Sequence, residues 1–228
     1  MLKNLITAIM AFCLMAMTLG CGGGDSSGGG DPEAVSMKKG VFLDSAVEGL
    51  DYVTETHTGR TDSTGRFFYQ DGESIRFFIG DMEIGECLAR DVVTPVDLAD
   101  GAEDETDPGV TNIARFLQSL DNDGDPANGI VLSAEVRNEC RGRSIAFDQN
   151  PENFENDPEV GAMFDALNAR GAFLDPSPRG LCSIEEARSH LKKTLESLSD
   201  PKNPGGGDDD GGTGGDSGSG GTDGSGGG

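Results

Sequence analysis

The sequence is poor in the side chains that most folds use for binding and acid–base work. Its 228 residues include no tryptophan, two tyrosines and two histidines, and 17 basic side chains stand against 41 acidic ones, a net formal charge of −24. Such a balance repels phosphate backbones and anionic headgroups, which places nucleic acid last among candidate partners. No Cys-x-x-Cys pair occurs, so zinc ribbons and thioredoxin-like redox chemistry have little support. A phosphate-cradling G-x-x-x-x-G-K-[ST] is also missing. The carboxylates, though many, include no marked pair in an apolar setting that would raise one pKa for acid catalysis. Residues 24–28, Gly-Asp-Ser-Ser-Gly, match the spacing of a nucleophile elbow. They lie in a glycine tract with neither a strand before nor a helix after, so the geometry that exposes the serine has no support. The apolar run from Leu5 to Leu19 is shorter than the roughly 20 residues a membrane-spanning helix needs.

What is present starts at that run. Lys3, the apolar stretch, Gly20-Cys21 and a glycine/serine tract have the layout of an export signal. A cysteine after a small residue at the end of such a run resembles the lipobox of bacterial lipoproteins. The resemblance implies that residues 1–20 are a signal peptide, that Cys21 becomes the first mature residue and carries fatty acyl chains such as palmitate, and that residues 21–37 form a tether. Gly22, where an aspartate would retain a lipoprotein at the inner membrane, implies transfer to the outer membrane. At the other end, the stretch from Pro204 to Gly228 holds no aliphatic or aromatic residue and cannot bury apolar surface. Residues 201–228 are expected to be disordered, either as a loose end or as a linker to a further domain.

Between these ends the hydrophobic period changes once. Residues 38–98 alternate apolar and polar positions between glycine and aspartate turns, the signature of strands. "GVFLD", "GLDYVTE", "GRFFYQ", "SIRFFIG", "MEIGECLA" and "VVTPVDL" are six short candidates, as many as a small antiparallel sandwich needs. "TDSTGRF", residues 61–67, resembles the TD-x-x-G-x-F hairpin of carboxypeptidase regulatory-like, transthyretin-like domains, which implies a transthyretin-like β-sandwich for this module.

Residues 99–200 follow a helical period instead. Val110, Ile113, Ala114, Leu117 and Leu120 keep the i, i+3, i+4, i+7 rule, as do Val160, Met163, Phe164 and Leu167, with Gly171 placed to end that helix. A third helix opens at Ser183 and Glu186, which have the spacing of a capping box, and turns Ile184, Ala187, Leu191, Leu195 and Leu198 inward. The expected fold class is therefore α+β, a small antiparallel β-sandwich followed by a three-helix module, in one body of two lobes or two small domains. Lipobox, glycine tether, β-module and helical module in this order resemble poorly characterised bacterial surface lipoproteins. That group implies architecture and location, and no catalytic residues to carry over.

Few residues remain as candidates for chemistry. "SLDNDGDPANGI" sets Asp121, Asp123 and Asp125 at alternate positions after the first helix. Against a full EF-hand loop, Pro126 replaces the glycine and Leu132 the bidentate glutamate. A shorter site remains open, in which the three aspartates and Asn128 converge on one calcium ion; so does a pair of Asp-Gly and Asn-Gly turns. Of the three cysteines after Cys21, Cys140 and Cys182 are the expected disulfide of an exported helical module, with Cys87 buried and free. His57 falls in a polar turn, and His190 is expected as a boundary histidine touching a backbone carbonyl. Together these point to a lipid-anchored, non-enzymatic binding, spacer or display module of the cell envelope, with a protein or polysaccharide partner. The alternative is the non-catalytic N-terminal part of a larger exported enzyme or adhesin.

Overall fold

The computed structural model describes residues 36–199. Residues 1–35 and 200–228, which hold the expected signal peptide, Cys21, most of the expected tether and the glycine-rich tail, lie outside the described residues. The described chain is mixed α+β. In order it forms β1 (Lys38–Phe42), β2 (Val47–Glu48), β3 (Asp51–Val53), β4 (Thr58–Arg60), β5 (Arg66–Tyr69), β6 (Ser74–Ile79), β7 (Met82–Leu88) and β8 (Val92–Val93). There follow α1 (Pro95–Leu98), α2 (Pro108–Ser119), a 3-10 turn (Pro126–Asn128), β9 (Ile130–Val131), α3 (Ala134–Glu139), α4 (Pro151–Glu155), α5 (Pro158–Arg170) and α6 (Ile184–Ser199).

Three small sheets result. β4-β3-β6-β7 is antiparallel throughout, with a bulge between Phe77 and Phe78. In β5-β1-β8 the first pairing is antiparallel and the second parallel, and β2 pairs with β9 in parallel. The expected antiparallel set is thus enlarged by two parallel pairings, each only two residues long. "VVTPVDL", expected as one strand, splits at Thr94: Val92–Val93 pairs with β1 and Pro95 starts a helix. Proline explains the split, because it donates no ladder bond and suits the first position of a helix.

The alternation seen in β5, β6 and β7 sends Phe67, Tyr69, Ile75, Phe77, Ile79, Met82 and Ile84 inward. Phe77 meets Phe42 edge-on at 4.9 Å and Phe67 at 5.4 Å. The expected hairpin before β5 is instead a turn that crosses between sheets, since β4 pairs with β3 and β5 with β1. It turns on Gly65, whose φ of +75° favours glycine and whose Cβ would stand 2.5 Å from the Phe42 carbonyl. Asp62 completes it by accepting the Thr64 N–H at 2.9 Å.

Four helices start alike, on a polar cap followed by proline. Thr94, Asp107, Asn150 and Asp157 precede Pro95, Pro108, Pro151 and Pro158, and the last three caps accept backbone N–H groups of the first turn. α5 ends on left-handed Gly171, and Ser183 and Glu186 form the expected reciprocal cap of α6. α2 lies at the centre. Its apolar stripe joins Phe116 to Phe147, Phe154 and Phe164, and these belong to the same continuous core as Phe42, Phe67 and Phe77. The β and helical halves therefore share one core. Val110 and Ala114, on the other side of α2, pack on Ala187 and Leu191 of α6.

The polar side chains of α2 are buried as well: Thr111, Asn112, Arg115, Gln118 and Ser119. They staple loops that have no ladder of their own. Asn112 donates to the carbonyls of Phe147 and Gln149, and Ser119 accepts the Cys182 N–H. Arg115, 1% exposed, donates to the carbonyls of Cys182 and Pro151 and to Glu155.

Candidate functional site: the β1–β2 turn, the aspartate loop and helix α6

The aspartate loop begins where α2 ends. Asp121 is buried and spends both carboxylate oxygens on backbone donors, Val131 N–H at 2.8 Å and Gly124 N–H at 2.9 Å. Asp123 accepts from the Asp125 N–H at 3.0 Å and from the Asn128 amide at 3.1 Å. Asp125 caps the 3-10 turn through the Ala127 N–H. Burial pushes the Asp121 carboxyl up to about 6, with Asp123 adding to the rise and the N–H donors opposing it. The Asp125 N–H holds Asp123 low. Arg179 supplies the nearby positive charge, donating to the Asp121 carbonyl while its guanidinium lies 4.2 Å over the Phe173 ring. Asp121, Asp123, Asp125 and Asn128 are thus brought together in one run of consecutive turns. Among the described residues no group of three His, Cys, Asp or Glu side chains is arranged to hold a metal ion.

The expected Cys140–Cys182 bridge is not formed, and Cys87, Cys140 and Cys182 are all free. Cys140 ends α3 inside the main core, its Sγ 3.8 Å from the Met163 sulfur. Cys182 packs with the smaller cluster on the other side of α2, its Sγ 3.7 Å from the Arg115 carbonyl. The central helix separates them. Burial pushes the thiols of Cys87 and Cys140 up to about 12 and raises that of Cys182. Thiols held in this form are poor nucleophiles.

A cluster that sequence reasoning missed lies at the two-residue turn between β1 and β2. The turn, Asp44-Ser45, is closed by a bridge between Leu43 and Ala46. Ser45 has φ of +59°, the only positive φ among the described non-glycine residues. Its Oγ lies 3.0 Å from His190 Nε2 on α6, and its N–H donates to Thr194 Oγ1 at 3.4 Å. The same His190 nitrogen lies 3.3 Å from the Asp44 carbonyl, the contact expected of a boundary histidine. Asp44 is fully buried. One of its oxygens accepts from Gln118 Nε2 at 2.9 Å; the other has no hydrogen-bond partner and lies 3.8 Å from His190 Nε2. Burial pushes Asp44 up to about 7 against the opposing Gln118 bond, and burial also lowers His190. No sequence pattern could have flagged the pair, since Asp44 and His190 are 146 residues apart. The one local signal was a polar Asp-Ser between apolar strands.

A serine, a histidine and an aspartate in contact invite comparison with a nucleophilic triad. In a triad the serine meets Nε2 and the carboxylate meets Nδ1, which fixes the tautomer and orients the ring. Here Ser45 Oγ, the Asp44 carbonyl and the Asp44 carboxylate all converge on Nε2. One ring nitrogen either donates one proton or accepts one. The arrangement can latch the turn to α6, and it has no route for relaying a proton.

Two open clefts of similar size complete the surface. One, about 560 Å³, runs past His190, Lys193, Cys182, Glu186 and Asp125 beside the latch. The other, about 530 Å³, lies between β7, α1 and α2. No helix among the described residues is long and apolar enough to cross a membrane. By class the described chain is a mixed α+β protein built around one buried helix. Compared with protein-family models, with curated proteins and with solved structures, it matches none.

Proposed function

We propose that the chain is an exported lipoprotein, anchored in the outer membrane through Cys21, whose α+β body is a non-enzymatic binding, spacer or display module. The leader and Gly20-Cys21-Gly22 support the anchor, and the strongly acidic composition suits a solvated body held off a membrane by a glycine tether. One observation carries the non-enzymatic part. Among the described residues, three thiols are raised by burial, and the Ser45–His190 contact has its nearby carboxylate on the same ring nitrogen, which supports a structural role for these groups. The β half is read as a variant of the transthyretin-like sandwich. Its support is the Asp62–Gly65 turn, which carries the chain from one sheet to the next and sends Phe67 into the core.

The decisive experiment is fractionation of cells making the full chain and its Cys21→Ser variant. The wild type should enter the detergent phase and incorporate labelled palmitate, and the variant should do neither. Detergent partitioning that survives the substitution overturns the anchor.

A further inference from the structure

We propose that the cleft between β7, α1 and α2 is a docking site for a polypeptide segment that carries an arginine or lysine beside a bulky apolar side chain. The proposal rests on reading the body as a binding module and names the partner chemistry of that module. The floor of the cleft is apolar, made by Ile84, Leu98, Ile113 and Phe147. Its shape depends on Gly85, where a Cβ would stand 2.7 Å from Leu98 Cβ and hold α1 away from β7. Around this floor stand four carboxylates, Glu83, Asp100, Asp107 and Asp148, and no basic side chain lines the cleft among the described residues.

A single sign of charge is not automatic on an acidic protein. The other cleft, of nearly the same volume, mixes Lys193 and His190 with Asp125, Glu185 and Glu186. The four carboxylates also differ in how far they are already engaged. Glu83 stands 3.8 Å from Arg76, and one oxygen of Asp107 caps α2. Asp100 and Asp148 belong to no ion pair among the described residues, and both are exposed. A bare metal ion does not suit the place, because no three carboxylates are arranged around one point. The matching cation brings its own apolar surface, as an arginine or lysine stem with a leucine or phenylalanine neighbour does. Phosphate-bearing ligands are repelled by the same rim.

The test uses the full detergent-solubilised chain, labelled on isoleucine methyl groups, and three blocked tripeptides: Leu-Arg-Phe, Leu-Glu-Phe and Gly-Arg-Gly. Leu-Arg-Phe should shift the methyl signals of Ile84 and Ile113 in a saturable way, more tightly than either control. Asp100→Asn with Asp148→Asn, both at exposed positions, should weaken that binding by about three- to tenfold, and high salt should do likewise. Equal binding of Gly-Arg-Gly would reduce the site to diffuse charge, and equal binding of Leu-Glu-Phe would reduce it to an apolar patch. Either result, undisturbed Ile84 and Ile113 signals, or an unchanged affinity in the double variant overturns the proposal. Membrane partitioning of the same preparation is scored separately. A protein that fails to partition but binds Leu-Arg-Phe removes the anchor and keeps the cleft, and the reverse result removes the cleft alone.

Discussion

A buried carboxyl group with a single hydrogen bond is costly when charged, and Asp44 is placed so that pH decides whether it is. Its folded pKa, pushed up to about 7, lies above the ordinary value near 3.8 that it regains on unfolding. The protonated form is thus favoured by the fold. Its contribution is fully present below the unfolded value and is lost as pH rises through about 7, an effect on the order of a few kcal/mol. His190, lowered by burial, works in the opposite sense: the unfolded ring binds protons more readily, so stability falls as pH drops below about 6.5. Lys193 and Asp125 also act on that ring, one lowering and one raising its pKa. Asp44→Asn keeps an acceptor for Gln118 and carries no charge. It should equal the wild type near pH 3, exceed it at pH 8, and flatten the slope between. Urea melts across that range decide the matter, and an unaltered slope would place the titration elsewhere.

At the scale of elements, what the sequence made legible was whatever repeats. α2, α5 and α6 were readable because each places apolar residues on one face over three or more turns, and β5 to β7 because they alternate. The two-residue strands β2, β8 and β9 carry no period, and only the distant partner that each one pairs with gives it a reason to exist. α1 and α4 had a local signal that period alone overlooks, a capping residue followed by proline at Thr94-Pro95 and Asn150-Pro151. The aspartate loop illustrates the remaining ambiguity. Alternate carboxylates fit a cation and fit a run of turns equally well, and the difference lies in which backbone N–H groups are left needing an acceptor. Here Val131, Gly124, Asp125 and Ala127 take them up. Asp123→Ala should therefore lower stability slightly, and by the same amount with or without calcium. Several millimolar calcium should shift the melting temperature no more than magnesium does. A calcium-specific rise that vanishes in Asp123→Ala would mean that the carboxylates turn toward an ion.

For the whole molecule, the change of period near residue 98 marks a change of secondary structure across which the core continues. α2 shows an apolar helical stripe in sequence, with polar side chains between. In the structure those side chains hold the loops before α4 and α6, so Arg115 and Asn112 act as interior residues although their chemistry reads as surface. A fragment of residues 38–98 would leave β2 without β9 and would cut the core that Phe42, Val47 and Leu50 share with Ile130, Leu132 and Val136. It should give collapsed amide dispersion in proton–nitrogen spectra, while residues 36–199 unfold in one transition by fluorescence of Tyr52 and Tyr69 and by circular dichroism alike. A well-dispersed spectrum from the fragment would show the β half to be autonomous.

The latch also sets an order of events in time. Ser45 leaves the ribosome long before its partner His190, 145 residues later. At roughly 5 to 20 residues per second, that gap lasts about 7 to 30 s. Through that interval the first turn has no dock on α6, although β9 and Gln118, the partners of β2 and of the Asp44 carboxylate, are made earlier. Any product released before α6 is complete therefore lacks the contacts of Ser45 and Asp44 with His190 and Thr194, and its first turn stays unlatched.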